Sequence, residues 1–159
     1  MAIYMKLTPL VAGEATSAKA KGYIVLQSFQ FGVGVGVSMA VGSGNRETSL
    51  PSLSEITVTK MTDIASTTIF ESVCKRTNYK SAEIIFTTMI GAGNEETFLK
   101  YNLDNVIFSG YSLSSGGDRP SESLSLNFTK VSVQYMLDQN NQLKTDSPIK
   151  SWNLETNAA

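Results

Sequence analysis

From Phe29 to Val41 the chain alternates without a break. Odd positions hold Phe29, Phe31, Val33, Val35, Val37, Met39 and Val41; even positions hold Gln30, Gly32, Gly34, Gly36, Ser38, Ala40 and Gly42. Successive side chains of a strand point to opposite faces, so this pattern is a strand with one apolar face and one nearly bare face. At roughly 3.3 Å per residue it could reach about 40 Å, well beyond the common strand of about 5–6 residues. Glycine inside a strand often marks a bulge or a close backbone approach, so the run need not be regular. Two readings compete. In one, the strand bends at its glycines and closes a barrel within a single subunit. In the other, part of it is an arm whose apolar row docks on a neighbouring subunit, by strand addition or face packing. Either way the row must be covered, because an exposed apolar strand is an aggregation liability. The Gly-Val-Gly-Val-Gly run lacks the G-x-G-x-x-G spacing and no amphipathic helix follows it, which argues against a nucleotide loop.

The rest of the chain has the same β character: short runs of Val, Ile, Thr, Phe and Tyr punctuated by Gly, Ser and Asn. Strands are expected at 2–8, 22–31, 55–62 and 82–90. A hairpin runs from Tyr101 to Met136 around the turn Ser114-Ser115-Gly116-Gly117-Asp118-Arg119-Pro120-Ser121. In its second strand Leu124, Leu126 and Phe128 are even while Val131, Val133 and Tyr135 are odd. A slip in phase without a turn predicts a β-bulge near Thr129–Lys130. Trp152, with Ile149 and Leu154, reads as a last strand closing the sheet. A polar loop, 42–51, joins the alternating run to the next strand.

The one plausible helix spans about 67–77. Thr68 and Glu71 form a capping-box pattern, Ile69, Phe70, Val73 and Cys74 an apolar stripe, and Lys75 and Arg76 complement the dipole, with Asn78 as the stop. Cys74 is the only cysteine, so no intrachain disulfide can form, and it reads as a buried thiol acting as a small hydrophobe.

The chain has no histidine, which removes His-based nucleophile triads, zinc sites and general bases together. Among the acids only Glu95-Glu96 stand adjacent, and they read as solvated. No metal, cofactor or catalytic residue is expected, and a carboxylate-only hydrolase would need an inward-facing acid pair that the sequence does not show. Net charge is −1 with scattered Lys and Arg, against nucleic acid. No apolar run is long enough for a membrane helix, and the N-terminus does not read as a signal peptide. The 159 residues suit one domain, and a charged fraction of 17% is low, which favours a surface partly buried against copies of itself.

The hairpin closely resembles the signature of the Hcp family, the tube-forming proteins of bacterial type VI secretion systems. There a strand ending in a Gly/Ser loop leads into a DRP-x-E motif, here Asp118-Arg119-Pro120-Ser121-Glu122, and then a strand like Leu126-Asn127-Phe128-Thr129-Lys130-Val131. Ile3-Tyr4-Met5-Lys6-Leu7, Gly13-Glu14-Ala15-Thr16, Thr57-Val58-Thr59-Lys60, Gly93-Asn94 and Phe98-Leu99-Lys100-Tyr101 also fit in order and spacing. Lys19-Ala20-Lys21-Gly22 stands where the family usually carries Lys-His-Lys-Gly, so any contact made by that imidazole is absent.

The resemblance implies a mainly β fold: a single domain over 1–159, a flattened β-barrel of two antiparallel sheets with one short α-helix. It implies a non-catalytic subunit that forms hexameric rings. The rings stack into a tube, ejected by a contracting sheath behind a spike tip, with small effectors in the lumen. Partners would be the chain itself and the sheath, spike-tip and effector proteins. The chain would assemble in the bacterial cytoplasm and then be secreted, with no membrane insertion and no appended effector domain. The loop residues Gly44, Asn45, Arg46 and Glu47 correspond to the family's protruding loop and are candidates for ring stacking. Phe29, Phe31, Val33, Val35 and Val37, from the alternating row, are candidates for the subunit interface. The alternative class is a monomeric β-barrel that binds a small ligand or glycan.

Overall fold

In the computed structural model, which describes residues 1–159 except 43, 92 and 145, alternation sets every wall. Strand β1 (Ala2–Thr8) turns Ile3, Met5 and Leu7 inward, and β2 (Ile24–Leu26) turns in Ile24 and Leu26. Strand β3 (Ser28–Gln30) follows at once. After the excursion described below come β8 (Ile56–Met61), helix α1 (Ser66–Lys75), β9 (Asn78–Ile90), β10 (Asn94–Ser114), β11 (Ser121–Asn127), β12 (Lys130–Tyr135) and β13 (Ile149–Asn153). They form one nine-stranded antiparallel sheet in the order β2-β1-β9-β10-β11-β8-β3, with β12 beside β10 and β13 outside β12.

The fold is mainly β with one short helix, as expected, but the barrel is not a closed one. Its two end strands, β2 on β1 and β3 on β8, are consecutive pieces of one segment joined at Gln27, whose N–H donates to Thr59 O at 2.7 Å. A single bent segment thus edges the sheet at both ends. The core between the walls gathers Met5, Ile24, Ile56, Val58, Ile84, Leu103, Leu124 and Leu126, all buried. Strands β1 and β9 are also covered outside, where the 9–23 loop lays Ala15 and Ala20 on Tyr4 and Ile85. Gly13 is required there, because an added Cβ would lie 2.2 Å from Tyr23 O. Glu95 pins this loop, accepting from Thr87 Oγ1 at 2.7 Å, Tyr4 OH at 3.3 Å and the Ser17 hydroxyl, while Glu96 pairs with Lys19 at 2.9 Å. The Ser17 hydroxyl first, then Thr87 and Tyr4, hold the Glu95 carboxyl below the usual glutamate range against burial. These two acids are fasteners, not the solvated pair that their adjacency suggested.

Other expectations shift in detail. The helix has no capping box: Ala65 is its N-cap without a side-chain bond, and Asp63 Oδ1 takes the Ala65 N–H at 2.9 Å instead. It ends at Arg76, which adopts a left-handed φ of 56°. Its buried face is Ser66, Ile69 and Ser72, so Phe70 and Cys74 face outward. A stripe at helical spacing fits two neighbouring rotations, and the sheet below selected the other. The break near Thr129 is real but two-sided. Pairing of β10 with β12 stops at Asp104↔Lys130 and resumes with β11 at Ile107↔Asn127 in the same register, with Asn105 at φ 52° opposite the gap. Both strands kink together, and the register shifts elsewhere, between Phe108 and Gly110. Strand β13 extends the sheet beyond β12 rather than closing it.

One polar cluster sits inside the core. Lys60 takes the third inward position of β8 and is fully buried. Its Nζ donates to Glu122 Oε2 at 2.8 Å, Met61 O at 2.9 Å and Ser66 Oγ at 3.0 Å, and lies 2.8 Å from Asp63 Oδ1. Tyr111 OH donates to Glu122 Oε1 at 2.9 Å. Burial works to raise the Glu122 carboxyl, but bonds from Lys60, Ser66 and Tyr111, with the Lys60 charge, hold it below the usual range. Burial, then the bond to Glu122 and its charge, pushes Tyr111 up to about 12.

Breaking a buried pair from one side strands the other charge, so Lys60→Met should cost about 3–5 kcal/mol in urea unfolding. Lys60→Met with Glu122→Leu should recover most of that, and a Lys60→Met cost below about 1 kcal/mol would contradict this role. Because the folded-state pKa of Glu122 is depressed, its contribution is present above the ordinary glutamate value and disappears as pH falls through the folded one. The urea midpoint should therefore fall as pH drops below the ordinary glutamate value, more shallowly in Glu122→Gln.

Candidate assembly surface

Past Phe29 the alternating row leaves the sheet. Strands β4 (Val33–Gly34) and β5 (Val37–Met39) run outward, and β6 (Arg46–Thr48) and β7 (Ser52–Leu53) return. The ladders pair Val33↔Leu53 and Gly34↔Ser52 near the base, then Val37↔Thr48, Ser38↔Glu47 and Met39↔Arg46 near the tip. Between them the returning strand carries one extra residue beside Pro51, which has no N–H to give a ladder. Glycines face serines along the bare side. Gly36 O accepts the Ser49 N–H and its own N–H donates to Ser49 Oγ, both at 2.8 Å; Gly32 does the same with Ser54 at 2.9 Å. A Cβ at Gly36 would sit 2.9 Å from that hydroxyl, so the glycine keeps the serine close.

The candidates from the row divide. Phe29 is half-buried, its ring 5.2 Å from Phe86 and 4.9 Å from Tyr101, and Phe31 packs 6.0 Å from Phe128. Both belong to this subunit's own core. Val33, Val35 and Val37 stand in water at 58%, 48% and 60% exposure, followed by Met39 at 63% and Val41 fully out. Directly paired residues share a face, so Leu53, Thr48 and Arg46 flank this row. Gly44, Asn45, Arg46 and Glu47 are all exposed at the far end of the arm, with Arg46 on the apolar face and Glu47 on the bare one. The beginning of the row completes the sheet, and its remainder projects from it.

Where the arm joins the sheet, a groove of about 300 Å³ opens between Phe31, Val33 and Leu53 on one side and Val131, Val133 and Trp152 on the other. Trp152 Nε1 is buried without a hydrogen-bond partner among the described residues. Nothing in the sequence pointed to this groove, because its walls lie about a hundred residues apart. Among the described residues no group of three or more His, Cys, Asp or Glu could hold a metal, and no helix is long and apolar enough to cross a membrane.

The family model described as type VI secretion system effector, Hcp, matches residues 4–135. Among solved structures, a type six secretion system protein is similar at a TM-score of 0.87 and 30% identity, over 98% of this chain and 97% of that one. Hcp1 from Salmonella typhimurium follows at 0.76 and 20%, over 99% and 97%. Secreted protein Hcp3 from Pseudomonas aeruginosa superposes at 0.67 and 13%, over 96% and 97%. The last two show the fold alone. No curated protein matches the chain. With the model spanning most of its length and a full-length structure at 30% identity, the chain belongs to the Hcp family of type VI secretion proteins, whose role is structural and not catalytic.

Proposed function

We propose that the chain is a subunit of the secretion tube: it closes into hexameric rings that stack, travel outward with the tube and carry small effectors in the lumen. Assembly takes place in the bacterial cytoplasm, against sheath and spike-tip proteins. The observation that carries this reading is the projecting arm, whose row from Val33 to Val41 finds no cover in its own chain. Fully burying a Val or Met side chain contributes about 1.5–3 kcal/mol, so a row of five is a strong drive to associate. The unpaired outer edge of β13 over residues 149–152 offers a second adhesive surface. A monomeric ligand-binding barrel would leave the row in water, which disfavours that alternative.

Light scattering on the purified protein should give a mass of about six chains, with rings in negative-stain images. A monomer at every concentration would overturn the reading. Val37→Asp should weaken association at least tenfold, about 1.4 kcal/mol, while leaving the circular dichroism and melting of the subunit unchanged. Arg46→Glu, at the arm's far end, should preserve rings but reduce their stacking into tubes; tubes forming as readily as before would remove the tip from stacking.

A further inference from the structure

The floor of the groove at the arm's base continues along β12. Val131, Val133 and Tyr135 are alternate residues and share a face, and the register sets Trp152 beside Val131 and Lys150 beside Val133 on that face. A second cavity, of about 400 Å³, opens over the same floor between Val133, Tyr135 and Leu137 and the loop residues Lys144 and Pro148. The two cavities share Val133 and Lys150, so they meet as one trough. From Val131 to Tyr135 its floor runs about 13 Å.

The two ends differ in chemistry. At the arm's base the trough is an apolar slot of about 300 Å³, walled by Phe31, Val33, Leu53 and Trp152. Toward the 144–148 loop it opens beneath two ammonium groups. Lys144 and Lys150 are both exposed, and neither has an ion pair among the described residues. No Asp or Glu lines either part, and Asp146, two residues from Lys144, is not among its walls. A concave, mostly apolar site with a few placed polar groups is the usual form of a small-ligand pocket. Here the apolar part accepts a hydrocarbon tail, and the uncompensated cations accept an anionic head.

We infer that this trough binds a single-chain anionic amphiphile, a medium-chain fatty acid, with its carboxylate between Lys144 and Lys150 and its tail in the slot beside Phe31 and Trp152. A two-chain lipid is too bulky for the slot, and a sugar would meet too few hydrogen-bonding groups there. Binding of this kind is independent of the tube role and would stand if that role fell.

Trp152 is the only tryptophan and lines the slot, so its emission reports on the site. Octanoate and decanoate, each below its micelle concentration, are titrated into the full chain. Val33 belongs to the row that assembly would cover, so dilute and assembled protein are both measured. A saturable blue shift is expected in at least one state, with decanoate binding at least about fivefold tighter than octanoate for its two added methylenes. Lys144→Gln with Lys150→Gln should weaken decanoate at least about tenfold, with circular dichroism and oligomer mass unchanged. Decyltrimethylammonium, with the same tail and the opposite charge, should give no saturable shift. No response to decanoate in either state would overturn the site. So would an equal response to both amphiphiles, or one untouched in the lysine variant, since binding would then be adsorption to apolar surface. Flotation with phosphatidylglycerol vesicles without a response to decanoate would give the lysines to a membrane surface and also overturn the proposal.

Discussion

A fully buried ammonium must be paired on all sides or it cannot stay buried, and Lys60 imposes that condition on the whole subunit. Its acceptors come from the turn before α1, through Asp63, from the first residue of α1, Ser66, and from β11, through Glu122. The same corner is tied outside the core: Thr62 N–H donates to Pro120 O at 3.0 Å and Arg119 Nε to Thr62 O at 2.8 Å. Arg119 also meets Glu14 of the loop covering β1 at 3.2 Å. The DRP-x-E motif therefore has a physical content. Glu122 neutralises the buried cation, Pro120 offers its carbonyl, and Arg119 bridges turn and loop. Helix, hairpin and barrel wall are held in one relative position, and the arm leaves the wall at β3, hydrogen-bonded to the strand that bears Lys60.

Two materials result from one chain. The barrel satisfies itself: apolar residues line its interior, its inner charges are paired, and its outer loop is pinned by Glu95. The arm satisfies only its backbone. Its glycines and serines complete the ladders and leave the opposite face to apolar side chains that meet no partner. A subunit built this way holds its core within one chain and leaves an apolar row exposed, which is the division of labour that the proposed tube role needs.

Much of this was legible because strand periodicity is written residue by residue. The alternating row, the hairpin around Gly116-Gly117 and the position of the helix all follow from local pattern. Lys60 was legible in principle as well, since a lysine in phase with Ile56 and Val58 on an inward face requires a buried acid. What local pattern could not supply was the partner in space. The helix stripe fitted two rotations, so Cys74 and Phe70 were placed inside when they lie outside. Glu95 and Glu96 looked solvated because their hydroxyl and lysine partners stand far off in sequence. The phase slip at Thr129 was visible, but its matching kink at Asn105 was not, so a one-sided bulge stood in for a two-sided one. The groove joins residues from both ends of the chain and left no local trace.

Hydrogen exchange followed across the assembly transition tests most directly the claim that the barrel is complete alone and the arm only in company. Amides of β1, β9 and β10 should be protected equally in dilute and assembled protein. Those of residues 33–53 should exchange quickly when dilute and slow on assembly. An arm already protected in the isolated subunit, or one still exchanging freely within rings, would contradict the account.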